Sequence, residues 1–284
     1  MSTQPSTFRP WTPVEPDIPA ALACFADPIH ALAEAQMPAI VLRGVLDPAQ
    51  CQGLIRRFVE RKLMRDPADS NASQADARTR TDIGSSLNNL GNNKELFLTH
   101  AQETHALFST LFDGFDNPVD VIYRALAALA PGKRVMVAEE PDGRRYGPAI
   151  VRCHFGGHAY PPHIDHVVLR EKRFNYAVSR FKHQFAGVLC LQNDAPTENS
   201  TQAILHNCLW TPKVQPYLEN WMFPEYAAKH HIESQRVTLQ QGDLYFFNTQ
   251  LIHEVPALSG PEPRIVLATF IGYSPDDPDV FVWA

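Results

Sequence analysis

A chain of 284 residues with 44% hydrophobic and 20% charged residues has the make-up of a globular protein, long enough for one large domain or two small ones. Its net charge of −6, with no long basic stripe, gives nucleic-acid binding no electrostatic support, and the Arg78/Arg80 cluster is too short to change that. No apolar run approaches a membrane span, the start MSTQPSTFRPWTPVEPDIPA lacks a targeting pattern, and five cysteines (Cys24, Cys51, Cys153, Cys190, Cys208) without CxxC spacing predict reduced thiols, so a cytoplasmic location is expected and a cysteine zinc site is not.

Residues 1–20, rich in proline and polar residues, read as a loose or surface-wrapping segment, and 21–284 as a single domain. Within it, 21–132 is mostly helical and 133–284 rich in strands. Ile40–Leu46 (IVLRGVL) reads as a strand. Asp47 then offers an N-cap and Pro48 a first helical residue, opening a helix to Met64 with apolar residues at helical spacing. The stretch 65–93 is polar, and a loop of that length in a compact domain is functional or disordered. Helices follow over Lys94–Phe112 and Pro118–Leu129, the second opened by Asn117-Pro118 and closed by Pro131-Gly132. The pattern then turns to short runs rich in β-branched and aromatic residues. Strands are predicted at Arg134–Glu139, Ala149–Phe155, Phe185–Gln192, Gln202–Trp210, Gln235–Gln240, Asp243–Phe247, Leu251–Val255, Arg264–Tyr273 and Val280–Trp283. Helices followed by strands in this order predict an α+β fold: a double-stranded β-helix (a cupin-like jelly roll) with the N-terminal helices packed against it.

The most informative stretch is Pro161-Pro162-His163-Ile164-Asp165-His166. On a strand, positions i and i+2 share a face, so His163 and Asp165 can aim an imidazole and a carboxylate at one point. A third ligand from another strand would complete the two-histidine, one-carboxylate facial triad that suits non-haem iron(II). The pair carries no weight alone, since 12 His and 17 Asp yield about one such spacing by chance, and His231-Ile232-Glu233 would serve as well chemically. Context favours His163. His253 lies on a strand candidate 90 residues later, room for several intervening strands, and only 22 residues after His231. Arg264 opens the next strand, eleven residues beyond His253 across a stiff loop with three prolines. A guanidinium there matches a carboxylate bidentately, such as the far end of 2-oxoglutarate. Singly, each residue has a plainer reading: His163-x-Asp165 a surface turn, His253 a histidine satisfied by a carbonyl, Arg264 a surface charge.

Together, His163-x-Asp165, His253 and Arg264, with Gly-Asp and Phe-Asn ahead of the second histidine, resemble the iron(II)/2-oxoglutarate dioxygenase superfamily. The nearest likeness is to the free-standing indole-alkaloid halogenases of the welwitindolinone and ambiguine pathways and their hydroxylase relatives. It extends to IVLRGVL, PDGRRYGPAIVR, LYFFN and the C-terminal VFVWA. The resemblance implies metal ligation by His163, Asp165 and His253, and co-substrate binding by Arg264, with Arg152 as an additional contact. It implies iron(II), 2-oxoglutarate and dioxygen as cofactor and co-substrates, with release of succinate and carbon dioxide. Two features depart from it. The halogenases carry glycine where this chain has Asp165, and chloride binds in that vacancy; an aspartate there implies oxygenation. Where many relatives have a serine two residues after the arginine, this chain has Val266. His154, His158 and His166 read as neighbours of the site, Asn248 as a turn residue, and Trp210 and Trp221 as core or lid aromatics.

The corresponding halogenase segment lines the substrate pocket, which makes 65–93 the expected lid and Thr81, Gly84, Asn88, Leu90 and Val168 the expected substrate contacts. Asp82 and Asn88 make the lid polar, predicting a small free molecule with polar handles, such as an amino-acid- or nucleoside-derived metabolite. The expected reaction is hydroxylation of an unactivated carbon, or desaturation or cyclisation. A cupin-like metal enzyme without 2-oxoglutarate, which leaves Arg264 unexplained, and a non-catalytic jelly-roll binding module are the other classes open at this point.

Overall fold

A computed structural model describes residues 11–15, 18–67, 79–157, 159–193, 201–258 and 262–284. Among these the helices are α1 (Ile18–Cys24), α2 (Pro28–Ala33), α3 (Pro48–Glu60), α4 (Leu87–Leu90), α5 (Lys94–Leu111), α6 (Pro118–Leu129), α7 (Gln215–Glu219) and α8 (Phe223–Lys229). The strands are β1 (Ala39–Leu42), β2 (Arg80–Ile83), β3 (Arg134–Val137), β4 (Ile150–His154), β5 (Tyr160–His163), β6 (His183–Gln192), β7 (Thr201–Leu209), β8 (Ser234–Thr238), β9 (Leu244–Asn248), β10 (Leu251–Val255), β11 (Arg264–Tyr273) and β12 (Asp279–Trp283).

The helix starts follow from side-chain caps. Asp47 Oδ1 accepts from Ala49 N at 2.7 Å ahead of Pro48, and Asn117 Oδ1 accepts from Val119 N at 3.0 Å ahead of Pro118. Each cap contributes about 1 kcal/mol. In α3 the buried side chains Cys51, Leu54, Ile55 and Phe58 recur at helical spacing and form one stripe against the sheet.

The strands form two sheets. The larger runs β1-β9-β6-β11-β12-β3, with β4 also paired to β11 and β2 to β4; the smaller runs β5-β10-β7-β8. On β11, Ile265, Leu267 and Ile271 belong to a core cluster shared with α3 and α6, while Val266 and Phe270 belong to a second cluster on the opposite face. The first cluster glues the helices to the outside of the larger sheet. The second lies between the sheets, and α7 and α8 cover the smaller sheet through Val214 and Phe223 packed on Ile164 and Ile252. This is the jelly roll with helices packed on it, as expected.

The Gly242-Asp243 turn before β9 shows why that pair stands there. Gly242 has φ +90°, and a Cβ on it would sit 2.0 Å from Leu46 O. Asp243 is buried and its carboxylate collects Gly44 N (2.9 Å), Gln240 N (2.8 Å) and the Arg43 guanidinium (2.7 Å). Gly242→Ala combines a left-handed backbone with a backbone clash, and is expected to cost about 2–4 kcal/mol in urea unfolding. A loss under about 0.5 kcal/mol would mean that the turn relaxes freely.

Several expectations change. β1 ends at Leu42 rather than Leu46, because Gly44 turns the chain with positive φ and its N–H goes to Asp243. Trp11 and Val14 are buried rather than loose, Val14 bridging Ile40 in parallel; residues 1–10, 16 and 17 lie outside the described residues. The stretch 65–93 is not all loop. β2 pairs with β4, and α4 follows, with 68–78 outside the described residues. β5, α7 and α8 were not expected either: Tyr160-Pro-Pro-His163 has two prolines, which argue against a strand unless it lies at a sheet edge, and β5 is an edge strand.

Candidate metal centre

β5 and β10 are antiparallel neighbours in the smaller sheet, and their register sets His163 opposite His253. Opposed side chains leave the same face, so the two imidazoles lie together with centroids 4.3 Å apart. β5 ends at His163, so strand alternation does not aim Asp165, contrary to expectation. The turn between β9 and β10 does. Asp165 N donates to Thr249 O at 3.0 Å, and Thr249 Oγ1 donates to Asp165 O at 2.7 Å. Asn248 anchors that turn to α2 through Leu32 O and Ala33 O, and accepts from Gln250 N at 2.9 Å.

One ligand-capable atom from each of His163, Asp165 and His253 lies within 4.8 Å of the others. Asp165 Oδ2 is 3.7 Å from His163 Nε2 and 3.6 Å from His253 Nε2. Each Nδ1 faces a carbonyl, Pro161 O at 2.7 Å and Leu251 O at 2.8 Å. A carbonyl only accepts, so Nδ1 carries the proton and the Nε2 lone pair points to the shared centre. Burial, reinforced by His163, holds His253 below its usual range and so neutral, the form a metal needs. Two imidazole nitrogens and one carboxylate oxygen are the donor set that would hold a divalent iron.

That cavity, about 370 Å³, lies between the sheets. Ile150, Val188, Phe247, Val266 and Phe270 give it an apolar wall; Arg80, Asn88, Asn89, Arg170 and Glu171 give it a polar side. The β4–β11 register sets Arg152 opposite Val266 and His154 opposite Arg264. Arg152 lines the cavity, and its buried Nε has no hydrogen-bond partner among the described residues. Arg264 is fully buried behind the lining, where Tyr245 and Tyr160 are its electrostatic neighbours and Nη2 donates to Pro256 O at 3.3 Å. Burial lowers the Arg264 pKa despite the two tyrosines, so its surroundings disfavour an uncompensated charge. Both tyrosines line the cavity.

Of the expected substrate contacts, only Asn88 lines the cavity. Thr81 is opposite Cys153, on the β2 face turned away from Arg80 and Asp82. Gly84 packs against Ala149, Thr104 and Phe108; Leu90 packs against the inter-sheet core; Val168 sits in the turn after the triad. The β2 pairing reverses which residues of the segment face inward. Arg80 and Asp82 form a hydrogen-bonded ion pair, and Arg80 also donates to Tyr160. An Arg-x-Asp alternation ahead of Ile83 was the available signal. His154 lines the cavity, whereas His166 shapes the following loop, accepting from Val168 N and Leu169 N; burial pushes it down to about 4. His158 and Arg78 lie outside the described residues. The rival pair His231 and Glu233 is exposed, and Trp221 is exposed rather than a core aromatic.

The sequence matches the family described as the carrier-protein-independent halogenase WelO5 over residues 14–284. No curated protein matches it. Among solved structures, it is similar to an N-substituted L-amino acid dioxygenase from Burkholderia ambifaria AMMD, with a TM-score of 0.56 and 16% identity over 90% of each chain. The same enzyme in complex with alpha-KG is similar with a TM-score of 0.56 and 15% identity, again over 90% of each chain. At these identities the likeness establishes the fold. No helix among the described residues is long and apolar enough to cross a membrane.

Proposed function

The chain belongs to the family of the carrier-protein-independent halogenase WelO5, within the iron(II)- and 2-oxoglutarate-dependent oxygenases, and from that premise we propose that it oxygenates, rather than halogenates, an unactivated carbon of a free small-molecule metabolite. Asp165 carries this reading. Its Oδ2 stands 3.6–3.7 Å from both imidazole Nε2 atoms, where a glycine would leave room for a halide. His163, Asp165 and His253 hold the ion. Arg264 takes the distal carboxylate of 2-oxoglutarate, with Tyr160 and Tyr245 supplying hydroxyls beside it, and Arg152 takes the carboxylate at the metal end. Bound iron(II), 2-oxoglutarate and dioxygen supply the oxidising chemistry, with succinate and carbon dioxide as by-products. The protein positions the reactants and excludes water. The apolar wall holds the substrate's body, and Arg80, Asn88 and Asn89 meet its polar handles. Amino-acid- and nucleoside-derived metabolites are therefore the compounds to screen for substrate-stimulated succinate formation. An anaerobic titration tests the class: a weak visible charge-transfer band is expected only when iron(II) and 2-oxoglutarate are both present. A band with iron alone, or none with both, would leave a different metal enzyme or a binding module.

A further inference from the structure

We propose that Arg170 is a positioning residue that keeps Asp165 a one-oxygen ligand. The inference rests on the triad being the metal site. Arg170 Nη1 donates to Asp165 Oδ1 at 2.7 Å and to Ile164 O at 2.8 Å, so one carboxylate oxygen is engaged and only Oδ2 faces the two imidazoles. The arm is braced from behind. Arg170 Nε is 3.5 Å from Glu171 Oε1, Glu171 Oε2 is 3.3 Å from Arg173 Nη2, and that buried guanidinium group donates to Asn88 O at 3.1 Å. A carboxylate with both oxygens free can chelate an ion and occupy two of its positions. With two histidines present, that leaves two positions, which a keto-acid chelate would fill, with none for dioxygen. A charge-assisted hydrogen bond to Oδ1 holds the third position open. Arg170 is half-exposed at the cavity edge, so it can be replaced without opening the core.

The competing role is structural: Arg170 would only pin the loop through Ile164 O. Metal-free full-length protein is loaded with manganese(II), and water-proton relaxivity is measured per bound ion. In Arg170→Gln the relaxivity is expected to fall by roughly a third, as Asp165 Oδ1 displaces one of three waters. Arg170→Lys, which keeps a cationic donor, is expected to retain the wild-type value. In an Asp165→Asn background, where the side chain has one ligating oxygen, Arg170→Gln is expected to change nothing, the non-additivity that marks a shared interaction. Unchanged or raised relaxivity in Arg170→Gln, or an equal fall in the Asp165→Asn background, overturns the proposal. A wild-type chain that takes up no manganese or iron instead overturns the metal reading beneath it.

Discussion

Alanine at His253 is expected to abolish metal binding while the chain stays folded. His253 is 2% exposed, lies in the middle of β10, and supplies one of the two Nε2 lone pairs aimed at the shared centre. Without it, His163 and Asp165 remain as a two-point site. Affinity for iron(II) is expected to fall by more than the roughly 10–100-fold that loss of a ligand's outer partner costs, and the visible band with 2-oxoglutarate to disappear. Asp165→Ala is expected to do the same, since it leaves no side-chain oxygen to ligate the ion. Metal titration and circular dichroism on the same samples check both parts. A cooperatively folded His253→Ala protein with wild-type iron affinity would refute the triad. Asp165→Gly with added chloride asks the related question of halogenation, and a chlorinated product would show that the aspartate alone separates the two outcomes.

The second large effect belongs to Arg264. Arg264→Met is expected to weaken 2-oxoglutarate binding by about 10–100-fold, the worth of charge-assisted hydrogen bonds to one carboxylate. The metal-free, ligand-free chain is expected to lose no more than about 1–2 kcal/mol of unfolding free energy. That asymmetry follows from burial: Arg264 is fully buried, and its surroundings lower its pKa. A structural arginine would behave in reverse, destabilising the chain strongly when removed. 2-Oxobutyrate has the keto-acid end but no distal carboxylate, and should bind the variant and the wild type alike. Equal losses for both keto acids would move the distal-carboxylate role to Arg152, which lines the cavity directly.

The legible parts of the fold were those governed by local rules. Asp47-Pro48 and Asn117-Pro118 announced helix starts because cap and proline act within one turn. β10 and β11 could be bounded to the residue because their apolar, β-branched runs stop at Pro256 and start after Pro263. β2 and β5 were illegible for the opposite reason: polar Arg80-Thr-Asp-Ile83 and proline-rich Tyr160-Pro-Pro-His163 become strands through partners, β4 and β10, far away in the chain.

The chain by itself determined which chemistry was available: two histidines, one aspartate and an arginine at spacings that two neighbouring strands and a stiff loop can bring together. Donor type is a property of the side chain, so it can be read before any fold is known. Only the tertiary structure decided how those donors are aimed. His163 meets His253 through sheet register, Asp165 is turned inward by Thr249 rather than by strand alternation, and Arg170 engages the other carboxylate oxygen from a loop with no periodicity to betray it. Direction depends on hydrogen bonds between residues distant in sequence, and such bonds exist only once the sheets have closed.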